Sequence, residues 1–392
     1  MKKIIYSLSL VAAMVGLSAC NGSGNGGEVD SPKEEMLKKA MTPYVDNTVV
    51  ATYCGMADAA ISLYDQCEVI MQKYEAGTLA ETDIKTAAGY WEQARSYWEL
   101  SEAFLYGPAA NHNIDPHIDS WPLDKDGMDA MLGNAEQMAQ IEEQGADYVG
   151  DKLGYGLLGF HAVEYMLYAN DNTDRQNLRY HTTDYKRAEV VYLVAIAEDL
   201  RNQAVALEAA WAGINNVSAT KQAILEEAEI DYGVEFVKGY GSYMKVATGG
   251  TYANYQEAAE ELIQGCIDIA DEVGNVKIGR PATATTEEDR NYIESPYSLN
   301  SIVDFMENIV SIKNAYTGSK SGDASVSDYI KTVDADLDAE CRAAIDAAYD
   351  AIKVIPEPFA VSAKTSEAAN AVKVVGTDLV EVLQKVYNKL GE

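Results

Sequence analysis

Two residues of complementary chemistry, His161 and Glu164, lie three apart in the run Gly154-Tyr-Gly-Leu-Leu-Gly159-Phe-His161-Ala-Val-Glu164-Tyr165. On a helix, positions three apart project from one face, so an imidazole and a carboxylate there could share one cation. Such donors suit zinc, or iron when further oxygen ligands join. Leu157, Leu158, Phe160, Val163 and Met166 surround the pair, so this helix is expected to be buried on several sides. A buried glutamate needs a cation or a hydrogen-bond donor to stay charged. Spacing alone fits a metal-free His–Glu pair in a core polar network at least as well. The remaining histidines, His112, His117 and His181, sit in polar stretches and read as solvated loop residues. There is no H-E-x-x-H and no G-x-x-x-x-G-K-[ST], which removes the usual helical zinc-peptidase site and the P-loop. Nothing local suggests a nucleophile elbow or oxyanion loop.

Helices must position these groups. Apolar or small residues at Val50, Tyr53, Ala57, Ala60, Tyr64, Cys67, Met71 and Tyr74 step by threes and fours, a sustained helix stripe ended by Gly77. Thr82 or Asp83 caps the next helix, which carries Tyr90, Trp91, Ala94, Trp98 and Phe104 to Gly107-Pro108. Periodicity then stops over 107–125, where a long irregular connection inside a helical domain points to function. A helix near 127–143 follows, then 154–168 and about 184–211. Further helices are expected at about 219–247, 251–273, 298–316, 327–353 and 364–389, with an irregular stretch at 274–297. No alternating strand pattern occurs. The chain is expected to be all-α, as two antiparallel helical bundles packed side by side with a cleft between them. The first bundle would cover 31–215 and the second 216–392.

The chain has 392 residues, with 62 Asp+Glu against 30 Lys+Arg, a formal net charge of −32. A hydrophobic content of 47% is ordinary for a globular protein. The negative balance argues against nucleic acid, because affinity for phosphate backbones comes largely from Lys and Arg. Lys2, Lys3 and the short apolar run Ile4 to Leu17 read as a signal peptide over 1–19. Leu17-Ser-Ala-Cys20 resembles a bacterial lipobox, which would leave a diacylated Cys20 as a membrane anchor. Asn21-Gly-Ser-Gly-Asn-Gly-Gly27 follows within a flexible tether, residues 20–30 including the lipidated Cys20. Cys54, Cys67, Cys266 and Cys341 show no C-x-x-C spacing and read as small buried hydrophobes.

The sequence resembles the imelysin-like family of cell-envelope proteins, also classed as metallopeptidases, whose hallmark G-x-H-x-x-E is met by Gly159, His161 and Glu164. Further blocks fall in the expected order: Ala94-Arg95 with Glu102-Ala-Phe104; Trp121-Pro-Leu-Asp124; Glu294-Ser-Pro-Tyr297-Ser298-Leu-Asn-Ser301 with Asp304 and Asn308; Asn314-Ala-Tyr316-Thr-Gly318; and Pro356-Glu-Pro-Phe359. The resemblance implies two helical bundles with the motif residues meeting between them. His161 and Glu164 are then candidate metal ligands, with Glu102 a further carboxylate. Arg95 would orient that carboxylate or bind an anionic ligand. Trp121 and Asp124 would line the cleft, and Glu294, Tyr297 and Ser298 would close it.

Three functions follow as expectations. The first is a lipid-anchored envelope protein binding a metal ion, iron or zinc, or a metal complex, for iron or haem acquisition with an envelope uptake partner. Haem would need an axial ligand, and none is singled out. The second is a metal-dependent peptidase, which would need three protein ligands, an open water position and a general base; the third is a non-catalytic envelope scaffold or ligand-binding module.

Overall fold

The computed structural model describes residues 31–168 and 181–392. The expected signal peptide, Cys20 and the tether lie outside the described residues. Among the described residues the structure is helical, with isolated bridge residues such as the pair Gly249 and Tyr252.

Helix α1 (Pro32–Pro43) begins as its sequence dictates, with Pro32 in the first turn and the Ser31 hydroxyl accepting from Glu34 N–H at 3.3 Å. Pro43 has no N–H to donate, and a π-helical turn, Tyr44–Val49, follows it directly. That turn feeds α2 (Val50–Glu75) without a break, so one rod runs from Pro32 to Glu75. Helix α3 (Glu81–Glu99) starts where the Asp83 carboxylate accepts from Ala80 N–H at 3.0 Å. Then come α4 (Gly159–Leu167), α5 (Arg187–Ala212), α6 (Tyr255–Asp271), α7 (Ser301–Thr317), α8 (Ala335–Lys353) and α9 (Val380–Gly391).

Helices α2, α3 and α5 pack together, with α4 set against α3 and α5; α6, α7, α8 and α9 form a second group. The groups meet where α7 lies on α3 and where the turn Glu102–Phe104 presses on α6. The chain order does not follow this division at its start, because α1 lies against α6 and the helix Val326–Val333. The core is aromatic and tightly filled: Trp91, Trp98, Trp211, Tyr53, Phe104 and Phe160 are essentially inaccessible. Tyr53 meets Phe104 edge-to-face at 5.5 Å. Such ring pairs contribute about 0.5–1.5 kcal/mol beyond area burial. The abundance of tyrosine over phenylalanine is resolved by hydroxyl partners, for example Tyr185 to Met166 O at 2.6 Å and Tyr316 to Asp338 at 2.9 Å.

Several helix expectations are redrawn. The helix expected near 127–143 divides into Lys125–Leu132 and Ala135–Gln144, because Asn134 accepts from Glu136 and Gln137 N–H and starts a new helix. The stretch 219–247 becomes Ala219–Glu227, Val234–Lys238 and Gly241–Val246, punctuated by Gly233 and Gly239 at φ 58° and 72°. The helix expected to stop near Gly274 instead continues from α6 through a second π turn, Glu272–Ile278, into Gly279–Ala282. A third, Val374–Leu379, joins Ser366–Lys373 to α9. Cys67, Cys266 and Cys341 are buried and unpaired, and Cys54 is half-buried. Among the described residues, no helix is long and apolar enough to cross a membrane.

Candidate metal centre

The site lies where the two groups of helices meet. One face of α3 presents Arg95, Trp98 and Glu99, and the next turn adds Glu102; all four are buried. The segment after Gly107, expected to be irregular, holds the short helices Pro108–Asn111 and Ile114–Ile118 and brings Asp119 at the end of the second, and α4 brings His161 and Glu164. From the second group come Lys277 of the π turn, Glu294, Tyr297 and Ser298 of the segment before α7, and Asp304 and Asn308 of α7.

Gly159 makes the juxtaposition sterically feasible. Its φ is 74°, and a Cβ there would lie 2.1 Å from the carbonyl oxygen of Ile118. Only glycine lets the loop press against the start of α4, and that contact sets Asp119 beside His161. The Trp91 indole N–H donates to Phe160 O at 2.9 Å and fixes the same turn from α3.

Arg95 is the hub. Its guanidinium reaches Glu99 at 2.5 Å, Glu294 at 2.8 Å and Asp304 at 3.5 Å, and also donates to Asp119. The second Asp119 oxygen accepts from the Trp98 indole at 2.7 Å. Lys277 lies 3.0 Å from Glu294 and 3.6 Å from both Glu99 and Glu102. Asp304 accepts from Ser295 at 2.5 Å and Asn300 at 2.6 Å.

Four buried atoms of the cluster make no hydrogen bond, Arg95 Nε, Glu99 Oε1, His161 Nε2 and Glu294 Oε2, and the first three lie against an opposite charge. His161 Nε2 lies 3.1 Å from Asp119 Oδ1 but out of line for a hydrogen bond, and Glu294 Oε2 has no partner. A buried polar atom left without a partner costs about 1–3 kcal/mol, so Glu294 Oε2 marks a place where a proton or a cation can be accommodated. Ligand atoms of Asp119, His161 and Glu294 lie within 4.8 Å of one another. One imidazole nitrogen and two carboxylate oxygens are donors that iron and zinc accept. The buried Asp/His/Glu cluster can therefore hold a metal ion.

Charge supports the same conclusion. Five carboxylates (Glu99, Glu102, Asp119, Glu294 and Asp304) crowd around two permanent cations, Arg95 and Lys277. Burial raises the Glu102, Glu294 and Asp304 carboxyls above their ordinary range, with neighbouring Glu99 adding to each. Burial acts on Asp119 the same way, yet Arg95 and His161 outweigh it and hold that carboxyl low. Burial would lower His161, but Asp119 and Glu164 lift it to about 9. The cluster thus lacks positive charge, which protons or a metal ion can supply.

A cavity of about 220 Å³ leads to His161, walled by Trp121, Ile293, Asn291, Pro296 and Tyr297. Trp121 packs on Tyr292, the ring centroids 4.1 Å apart.

Of the residues singled out in the sequence, His161, Arg95, Glu102 and Glu294 are brought into one cluster. Glu164 has a different task there: its Oε1 accepts from Tyr297 N–H at 2.9 Å, Ser298 N–H at 2.7 Å and the Ser298 hydroxyl at 2.7 Å. Its Oε2 lies 3.3 Å from His161 Nδ1. Glu164 therefore ties the second group of helices to the His161 ring. Asp124 caps the helix Lys125–Leu132, accepting from Gly127 N–H at 2.9 Å, and does not line the cavity. The other histidines are engaged elsewhere: His112 with Glu235 at 2.8 Å, His117 with Asp199 at 2.8 Å, and His181 with Thr182 O at 2.7 Å. Sequence reasoning missed Asp119, Glu99 and Lys277. Glu99 sits one turn beyond Arg95, a signal that was available. Asp119 and Lys277 lie in segments read as irregular, where periodicity gives no face.

A family model described as imelysin (peptidase M75) matches residues 49–386. The chain belongs to the imelysin family. It is 29% identical over 278 residues to the iron-regulated protein A of Synechococcus elongatus, a match covering 71% of this chain and 64% of that protein. A solved chain from Parabacteroides distasonis ATCC 8503, described as an iron-regulated protein A precursor, superposes with a TM-score of 0.76. That pair shares 26% identity over 93% of this chain and 97% of the other. An imelysin-like protein from Psychrobacter arcticum 273-4 shares the fold, with a TM-score of 0.58 at 14% identity over 92% of this chain and 94% of its own. This chain is thus an imelysin-family homologue of iron-regulated protein A.

Proposed function

We propose that this chain is a cell-envelope protein, lipid-anchored through Cys20, that binds a metal ion at Asp119, His161 and Glu294 and serves iron acquisition. The observation that carries the reading is the buried Asp119/His161/Glu294 group, whose ligand atoms lie within 4.8 Å of one another and where Glu294 Oε2 makes no hydrogen bond, beside a cavity that reaches the imidazole. The relatives described as iron-regulated favour iron among the metals these donors accept. The cavity, about 220 Å³, is smaller than the roughly 300–1,000 Å³ of ordinary cofactor pockets, which favours an ion over haem. Glu164, spent on four hydrogen-bonding contacts, is no free general base, which weakens a peptidase reading.

The test is a calorimetric titration of residues 28–392 with Fe²⁺ under reducing, anaerobic conditions and with Zn²⁺, beside D119N, H161A and E294Q. One ion bound per chain and loss of binding in all three variants are expected. No binding by the parent chain would overturn the reading. Chelator-sensitive cleavage of an unfolded substrate would replace it with the peptidase. For the anchor, C20A is expected to release the protein from the membrane fraction.

A further inference from the structure

Lys277 is the most deeply buried of the described lysines, 1% exposed. Its ammonium nitrogen is ringed by four oxygens: Glu294 Oε1 at 3.0 Å, Asn308 Oδ1 at 3.3 Å, and Glu99 Oε2 and Glu102 Oε1 each at 3.6 Å. Three carboxylates and an amide carbonyl are the ligands a hard divalent cation takes. Independently of the lysine, ligand atoms of Glu99, Glu102 and Asp119 lie within 4.8 Å of one another. Two cation positions therefore share their walls. Asp119 belongs to both carboxylate groups, and Glu294 touches Lys277 through Oε1 while its buried Oε2 has no partner. Asn308 is held for the task, since its amide nitrogen donates to Glu99 Oε2 at 2.6 Å and leaves its oxygen to Lys277.

The backbone around Lys277 is equally specific. The residue lies in the π turn Glu272–Ile278, and one extra residue in a helix rotates all that follows by about 100°. That turn crosses the third π turn at a glycine contact, where a Cβ on Gly274 would lie 2.2 Å from the Gly376 backbone.

We propose that Lys277 is the resident second cation of a carboxylate-bridged centre: it fills an oxygen-lined position that would otherwise take a divalent metal ion, and so limits the chain to one exchangeable ion. The inference rests on the metal reading above. An ammonium tethered to the backbone cannot dissociate, so the shared carboxylates keep a counter-charge when the exchangeable ion leaves. That suits a protein that loads and releases metal.

The test counts manganese, a hard divalent probe, in the desalted full chain by elemental analysis and native mass spectrometry. The parent chain is expected to hold one Mn²⁺ and K277M two. The double variant H161A/K277M is expected to hold one, which places the gained ion at the lysine's oxygens. A folded K277M that binds no more than the parent overturns the inference. A parent that binds none beside a K277M that binds one would overturn the site at His161 while supporting Lys277 as an ion surrogate. Should K277M not fold unaided, refolding with and without Mn²⁺ reads the same claim. Native helix content recovered only with the ion supports it, and failure in both overturns it.

Discussion

At the scale of single residues, His161 and Glu164 do different work although they share a helix face. His161 turns Nε2 to Asp119, at the proposed metal position, while Glu164 accepts from the backbone of Tyr297 and Ser298. Their substitutions should separate accordingly. H161A is expected to abolish the metal-dependent stabilisation read as a rise in melting temperature, a stabilisation that otherwise reaches about 2.7 kcal/mol at 100-fold over Kd. E164A should destabilise the metal-free protein by roughly 3 kcal/mol in urea unfolding, since buried donors left unpaired cost about 1–3 kcal/mol each. A stable E164A would contradict its assigned role. Gly159→Ala meets the Ile118 carbonyl at 2.1 Å and a positive φ, so a loss of roughly 2–4 kcal/mol is expected by the same measurement.

At the scale of elements, the three-four stripe from Val50 to Tyr74 made α2 legible, and G-x-H-x-x-E located α4. The site's remaining parts were hidden for physical reasons. Asp119 is delivered by the loop's approach to Gly159, a contact that no local pattern encodes. Lys277 is delivered by a π turn, whose extra residue breaks the period used to find a helix face, so Gly274 reads as a helix end. Gly274 in fact allows two π turns to touch. Gly274→Ala is therefore expected to push these turns apart, lowering stability and weakening metal binding at a distance from every ligand atom. Unfolding curves and titration of that variant would check this; parent-like values for both would show the contact to be slack.

For the whole molecule, the site is an interface held by charge, and its metal-free stability should follow pH with a definite sign. His161 is raised from its ordinary 6.5 to about 9, so its stabilising protonation is full below about 6.5 and lost as pH rises through 9. Burial and Asp119 raise Asp115 from 3.8 to about 7. A folded state that holds this proton more tightly than the unfolded chain loses stability as pH climbs across that window. Both act in one direction. With chelator present, the melting temperature is expected to be lower at pH 9 than at pH 6; a flat or rising profile would refute the charge assignments.

The most direct measurement is anomalous scattering at the iron edge from crystals grown anaerobically with Fe²⁺. One peak within coordination distance of His161 Nε2, Asp119 and Glu294 is expected, with Lys277 still in its ring of oxygens. A peak elsewhere, or none in iron-saturated crystals, would contradict a metal centre at this interface.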